Sequence, residues 1–316
     1  MQYIDGNTVE KLLDMKSCIR LMRQTLVDLA EGRARQVLRT VLPLPEGNVL
    51  GVMPAAIDAK KVAGTKIITV FPGNFSMGLP SHQGVVLVFE TRTGKLKAAV
   101  DGESITAIRT AAVSAAATEL LARPNAGTLA VIGAGLQARK HLEALQIVRD
   151  IKKVFVWDID AAAAERYAAE MSEKFRLPTQ VCKTSTAALK DADLICTVTA
   201  AAQPVVRGAD IKQGAHINAV GACRPDAREL DTAAIAKGRI YADKMESLLN
   251  EAGDFLIPFR EGAITKEVIA GELGEALSGQ IGGRQDDKEI TIFESLGLAV
   301  YDLAAADFVI EILLHG

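Results

Sequence analysis

Gly133-Ala134-Gly135-Leu136-Gln137-Ala138 follows directly on a short apolar run, residues 129–132, and a second such run, residues 154–157, ends on Asp158. A glycine at the first position allows a tight turn, and one at the third lets the backbone approach a bulky anion. The small Ala138 lets the following helix pack closely on the strand. The free N–H groups and positive end of that helix suit a pyrophosphate. Asp158 can accept hydrogen bonds from an adenosine ribose, while its charge repels a 2′-phosphate. The glycines alone are compatible with an ordinary turn. With a strand before them, a helix after them and an acid closing the next strand, they read as a dinucleotide-binding βαβ unit. Gly133, Gly135, Leu136, Gln137 and Asp158 are its candidate cofactor contacts.

A second set of residues lies outside that unit. Arg39, Lys66 and Arg109 are cations from three different elements. They read as ordinary surface or salt-bridged basics, or as a cage for a substrate carboxylate, where charge-assisted hydrogen bonds are strongest. His82, after a loop containing Gly78, is a turn residue or a proton handler. Thr199 and Val220 end successive strands, where parallel sheets bind their ligands. Cys223 is a small buried filler, or a thiol made reactive by Arg224, itself a further candidate for a substrate anion. Glu251 and Asp254 read equally as a solvated helix end or as site acids.

The pattern around these residues predicts the elements that position them. Helices are expected over residues 7–13 and 17–31, the second with Ile19, Met22, Leu26 and Leu29 on one face and Gly32 as its stop. Strand-rich segments follow at 37–44, 48–53, 61–70, 83–89 and 96–100, separated by turn residues. An alanine-rich helix over 106–121 puts Arg109 and Thr110 in its first turns, where a cation opposes the helix dipole. A buried arginine there wants an anionic partner. Beyond the βαβ unit, helices at 161–175 and 185–189 alternate with strands at 179–182, 194–198, 216–220 and 239–242. A last helix spans 295–314. The expected fold is therefore α/β: a Rossmann-type doubly wound sheet domain plus an α+β domain.

The 316 residues suffice for two domains, and 49% hydrophobic residues fill two cores. A net charge of −3 argues against nucleic acid. No apolar run reaches membrane-spanning length, and residues 1–6 lack the basic start and apolar core of a secretory signal. The four cysteines have no CxxC spacing and the four histidines form no local ligand set. Reduced thiols, a cytoplasmic location and no metal are the expectations.

The chain resembles the ornithine cyclodeaminase/mu-crystallin family over nearly its whole length. The likeness is carried by Arg39-Thr40-Val41, Gly51-Val52-Met53-Pro54-Ala55, Thr65-Lys66, Pro80-Ser81-His82-Gln83, residues 105–115 and 131–138, residues 214–230, Glu272-Leu273-Gly274-Glu275 and Glu294-Ser295-Leu296-Gly297. The resemblance implies a homodimer. It implies a substrate-binding and dimerisation domain of residues 1–115 with 295–316, and a dinucleotide domain of 116–294. It implies that Arg39, Lys66 and Arg109 hold a substrate carboxylate, and that Thr110, Thr199, Ser295 and its neighbour Leu296 lie on the cofactor side.

Two departures from the cyclodeaminase pattern matter. Cys223 stands where those enzymes carry the aspartate that handles ornithine's amino group, and Gly51 stands where a glutamate precedes their Met-Pro. Mu-crystallin-like members, which reduce ketimines with a nicotinamide cofactor, also lack that aspartate. They read Trp-Asn-Arg where this chain has Trp157-Asp158-Ile159, so NAD(H) is expected over NADP(H). The expected activity is that of an imine or ketimine reductase, or run backwards an amino-acid dehydrogenase, on a small α-imino acid or a 2-oxo acid with an amine. Lys66 or His82 is the expected proton source, with Glu251 near the iminium. Ornithine cyclodeamination and non-enzymatic binding of a small ligand are the competing expectations.

Overall fold

The computed structural model describes residues 2–315, and for residues 75 and 76 the backbone alone. Its contacts divide the chain into two units, Met1–Arg109 with Leu298–Gly316, and Thr110–Gly297. The divisions fall a few residues from the expected 115/116 and 294/295.

In the first unit β1 (Tyr3–Ile4), α1 (Gly6–Leu12) and α2 (Met15–Ala30) precede β2 (Ala34–Gln36), β3 (Thr40–Pro43), β4 (Val49–Ile57), β5 (Val62–Val70), β6 (His82–Glu90) and β7 (Leu96–Asp101). Asp5 and Asp14 cap the two helices by accepting from Thr8 and Ser17, caps worth about 1 kcal/mol each. The strands form one sheet in the order β1-β7-β6-β5-β4-β2, with β3 on β4. All its pairs are antiparallel except β1 with β7. The strand expected over 37–44 is the shorter β3, with Arg39 just before it, and β2 lies ahead of the expected range. The strand expected to end at Met53 continues through Pro54 to Ile57.

The C-terminal helix, Ala299–His315, packs on β4, β5 and β6. It is apolar nearly all round, as a helix sunk into a core must be. Contact is close: a Cβ on Gly64 would lie 2.8 Å from Leu303. The helix starts at Ala299 and not at residue 295, because Gly297 has a φ of +79° that ends any earlier turn.

Helix α3 (Gly102–Leu121) begins one turn earlier than expected. Asp101 accepts from the Ser104 N–H at 2.8 Å and so fixes the start. Arg109 and Thr110 therefore sit in the third turn, beyond the reach of the dipole at the N-terminus.

The second unit carries β8 (Thr128–Ile132), α4 (Leu136–Val148), β9 (Lys153–Trp157), α5 (Ala161–Phe175), β10 (Thr179–Val181), α6 (Ser185–Leu189), β11 (Leu194–Thr197) and β12 (His216–Ala219). These are followed by α7 (Thr232–Lys237), β13 (Gly238–Ala242), α8 (Met245–Glu251), α9 (Gly253–Arg260), β14 (Ile269–Glu272), α10 (Leu273–Leu277) and β15 (Ile290–Glu294). Eight parallel strands run in the order β10-β9-β8-β11-β12-β15-β13-β14. The order reverses between β8 and β11, which makes their carboxyl ends the place for a ligand. The elements from α7 to α10, with β14 and β15, lack clean periodicity and were not foreseen apart from β13. Among the described residues no helix is long and apolar enough to cross a membrane.

Candidate active site

Lys66 lies mid-strand on β5, opposite Met53 of β4 and Val86 of β6. Its side chain is 3% exposed. The Nζ pairs with Asp302 Oδ2 at 3.1 Å and donates to the Thr106 hydroxyl at 3.2 Å. Arg109 Nε donates to the other oxygen, Asp302 Oδ1, at 2.9 Å. One wholly buried carboxylate from the C-terminal helix thus joins two of the three expected cations. Burial works to raise the Asp302 carboxyl, but Arg109 and Lys66 outweigh it and hold it below the usual range.

Burial pushes the Lys66 ammonium down to about 8, aided by the charges of Arg109 and Arg39 and opposed by Asp302. Arg39, half-buried just before β3, is therefore electrostatically part of this group. So is His82, the first residue of β6. Its ring lies 2.8 Å from the Ser81 hydroxyl, and its pKa is lowered by the surrounding protein and by Lys66. Three cations against one carboxylate leave the group able to take a further anion. Asp302 was missed as a site residue, although an acid within Ala-Val-Tyr-Asp-Leu-Ala-Ala-Ala is itself a signal. Such a charge survives burial only with a partner.

In the second unit the Gly133 N–H donates to the Trp157 carbonyl at 2.8 Å. Gly133 has a φ of +103°, and a Cβ there would lie 2.9 Å from the Val198 carbonyl. Gly135 caps α4 with no side-chain hydrogen bond at the cap, and a helix start of this kind presents backbone N–H groups towards a ligand. A Cβ on Gly135 would meet nothing within 4 Å. Asp158 is fixed at the end of β9, accepting from the Ala134 N–H at 2.7 Å and the Asp160 N–H at 2.9 Å. Open space over an uncapped helix start, with an acid beside it, fits NAD(H). Leu136 and Gln137 open the helix. Thr199, Val220, Ser295 and Leu296 follow the adjacent strands β11, β12 and β15, and Thr110 is buried in α3. The Leu296 and Gly297 N–H groups both donate to Asp243 at 2.9 Å.

The remaining candidates separate. Cys223 is half-buried, its thiol donating weakly to the Val220 and Gly221 carbonyls at 3.8 and 3.9 Å. Arg224 is exposed and held by Asp226 through two hydrogen bonds of 3.0 and 2.9 Å. Glu251 closes α8. Asp254 is no solvated helix end. It is wholly buried and accepts from the Glu229 and Leu230 N–H groups at 2.8 and 2.7 Å.

Burial and the charge of Glu229 push the Asp254 carboxyl up to about 8, and burial with Asp254, Glu229 and Asp243 raises Glu294 well above the carboxylate range. Four acids at one end of a dry sheet cannot all ionise. The folded unit therefore holds protons that the unfolded chain releases above the ordinary carboxylate pKa. Stability is greatest below that pKa and falls as pH rises towards about 8. Asp254→Asn keeps an acceptor for both N–H groups. Urea titrations between pH 5 and 8 are expected to show a shallower loss in this variant, the parent slope being at most about 1.4 kcal/mol per pH unit per proton. Equal slopes would contradict the assignment.

Comparison with known proteins agrees with this layout. A family model described as the ornithine cyclodeaminase/mu-crystallin family matches residues 4–316. The chain is 38% identical over 313 residues to a Delta(1)-pyrroline-2-carboxylate reductase of Bacillus cereus, covering 98% of this chain and 96% of that protein. It is 41% identical over 282 residues to the ketimine reductase mu-crystallin of Mus musculus, covering 89% and 86%. Among solved structures it is similar to the Thermococcus litoralis Delta(1)-pyrroline-2-carboxylate reductase in complex with NADH and L-proline. The TM-score is 0.97 at 36% identity, with 99% of this chain and 98% of that one covered.

Proposed function

The chain belongs to the ornithine cyclodeaminase/mu-crystallin family, and from that premise we propose that it is an NADH-dependent reductase of a small cyclic or open α-imino acid. The observation that carries the reading is the buried group of Lys66, Arg109 and Asp302 with Arg39 beside it. Arg39, Lys66 and Arg109 hold the substrate carboxylate. Arg109 meets Asp302 through Nε, and a guanidinium has further donors for a second acceptor. After Asp302 is counted, the group keeps a surplus of positive charge that attracts a substrate carboxylate.

When bound, NADH supplies the hydride for the imine carbon. Gly133, Gly135 and the start of α4 hold its pyrophosphate, and Asp158 its adenosine ribose. Lys66 supplies or relays the proton that the imine nitrogen requires, directly or through His82. A lysine near neutrality matches that task, because general acids work best with a pKa close to the working pH. Reduction is accordingly expected to fall as pH rises through about 8, where Lys66 loses its proton. A rate flat across that range would exclude it as the donor.

The reductase reading is favoured over cyclodeamination by the chemistry of two positions. Gly51 has no side chain, and a Cβ there would lie 3.1 Å from Ile68. Cys223 is a thiol held by carbonyls. Neither offers a carboxylate for a second amino group. The test is a panel of pyrroline-2-carboxylate and of 2-oxo acids with ammonia or methylamine, followed by NADH absorbance. Net NADH oxidation supports the reading. Ammonia and proline from ornithine without net cofactor change would overturn it, as would NADH binding with no turnover on any member. A homodimer belongs to the same reading: β3 has all four residues exposed, with Val37, Val41 and Leu42 presenting apolar surface that a second copy would cover. Sedimentation as a monomer would remove that part.

A further inference from the structure

Glu229 lies in the segment between β12 and α7 and is 0% exposed. Its backbone is tied on both sides. The N–H donates to Asp254 Oδ1 at 2.8 Å, and the carbonyl accepts from Val205 and Val206 at 2.8 and 2.9 Å. The carboxylate is thereby aimed. Oε1 accepts from the Thr199 N–H at 2.7 Å and from the Thr199 hydroxyl at 2.6 Å, and Oε2 accepts from the Gly221 N–H at 2.8 Å. One side chain joins the loops after β11 and β12, which are neighbours in the sheet.

Two close approaches lock this junction. A Cβ on Gly221 would stand 2.2 Å from the Thr199 carbonyl and 2.6 Å from the Glu229 carboxylate, so only glycine fits between them. On the far side, a Cβ on Gly133 would stand 3.1 Å from Thr199 Cγ2, so the threonine methyl packs against the first glycine of the dinucleotide loop. The junction also needs a carboxylate. Three donors converge on Glu229, and a glutamine amide would turn its own donors towards one of them. Burial pushes this carboxyl up, and the Thr199 and Gly221 donors oppose that push.

We infer that Glu229 is a positioning residue for the nicotinamide end of the cofactor, holding Thr199 and Gly221 in place at the carboxyl edge of β11 and β12. The inference rests on the second unit being the NADH-binding unit, and the test separates the two. Binding is read by fluorescence for NADH, and by displacement or calorimetry for ADP-ribose, which has the adenosine and pyrophosphate but no nicotinamide. In Glu229→Gln, NADH affinity is expected to fall about tenfold, the weight of a lost charge-assisted hydrogen bond, and ADP-ribose affinity by less than about twofold. Gly221→Ala, which drives a methyl onto the carboxylate, should give the same split from the opposite side.

Thr199→Val removes the hydroxyl that donates to Glu229 and accepts from the Ala201 N–H at 3.1 Å, keeps the Thr199 and Gly221 N–H donors to Glu229, and should move NADH in the same direction by less. It keeps the test open if the other two variants do not fold. Equal losses for both ligands, or no loss, would overturn the role of Glu229 and leave the NADH reading standing. A parent chain that binds neither ligand would overturn the NADH reading itself.

Discussion

Lys66→Met is expected to lower turnover by about 10³-fold, within the range for loss of a positioned general acid, while the NADH dissociation constant moves by less than about threefold. Methionine keeps much of the stem's volume on β5 and removes the charge. Asp302 then retains Arg109 at 2.9 Å as its partner. Removing one member of a buried ion pair costs about 3–5 kcal/mol when the other is left alone, so the remaining arginine should spare much of that cost. Lys66→Arg serves as the control. It keeps the charge for carboxylate binding but holds its proton too tightly to donate it, so KM should recover more than kcat. If Lys66→Met weakened NADH binding as much as catalysis, a substrate-side role for this lysine would be wrong.

Asp158→Ser is expected to raise the ratio of NADPH to NADH use, as kcat/KM, by about 100-fold, or about 2.7 kcal/mol. The carboxylate ends β9 and is held by two backbone N–H groups, at 2.7 Å from Ala134 and 2.9 Å from Asp160. It cannot swing away from a 2′-phosphate without leaving both donors unpaired. Serine removes the like charge and returns the Ala134 N–H to the ligand, where it can meet a phosphate oxygen. Most of the change should come from a lower KM for NADPH. Some loss with NADH is expected too, because the ribose hydroxyls lose an acceptor. A ratio unchanged in steady-state kinetics with both cofactors would rule out the ribose assignment for Asp158.

The glycine loop and its acid were legible because every part of that signal is local. Strand, turn, helix and second strand follow one another within residues 128–158, and hydrogen bonds between neighbouring segments complete the geometry. The long strands β5 and β6 were legible for the same reason, through β-branched runs bounded by turns. Arg39, Lys66 and Arg109 stood as a group that was either ordinary salt-bridged basics or a carboxylate cage, and only the resemblance favoured the cage, since their spacing carries no local pattern. Glu229 and Glu294 were given no role of their own and Asp254 was left open between a solvated helix end and a site acid, because an acid's type and neighbours in sequence do not reveal burial.

What the amino-acid sequence determined by itself was the alternation of strand and helix, the cradle at Gly133 to Ala138 and the acid that faces it. These follow from backbone geometry and side-chain periodicity over a few residues. The tertiary structure alone decided which charges meet. Asp302 reaches Arg109 across 193 residues of chain, and Glu229 reaches Thr199 across 30. A carboxylate removed from water is tolerated only where folding brings it a cation or a set of N–H donors, and no stretch of sequence contains that partner in advance.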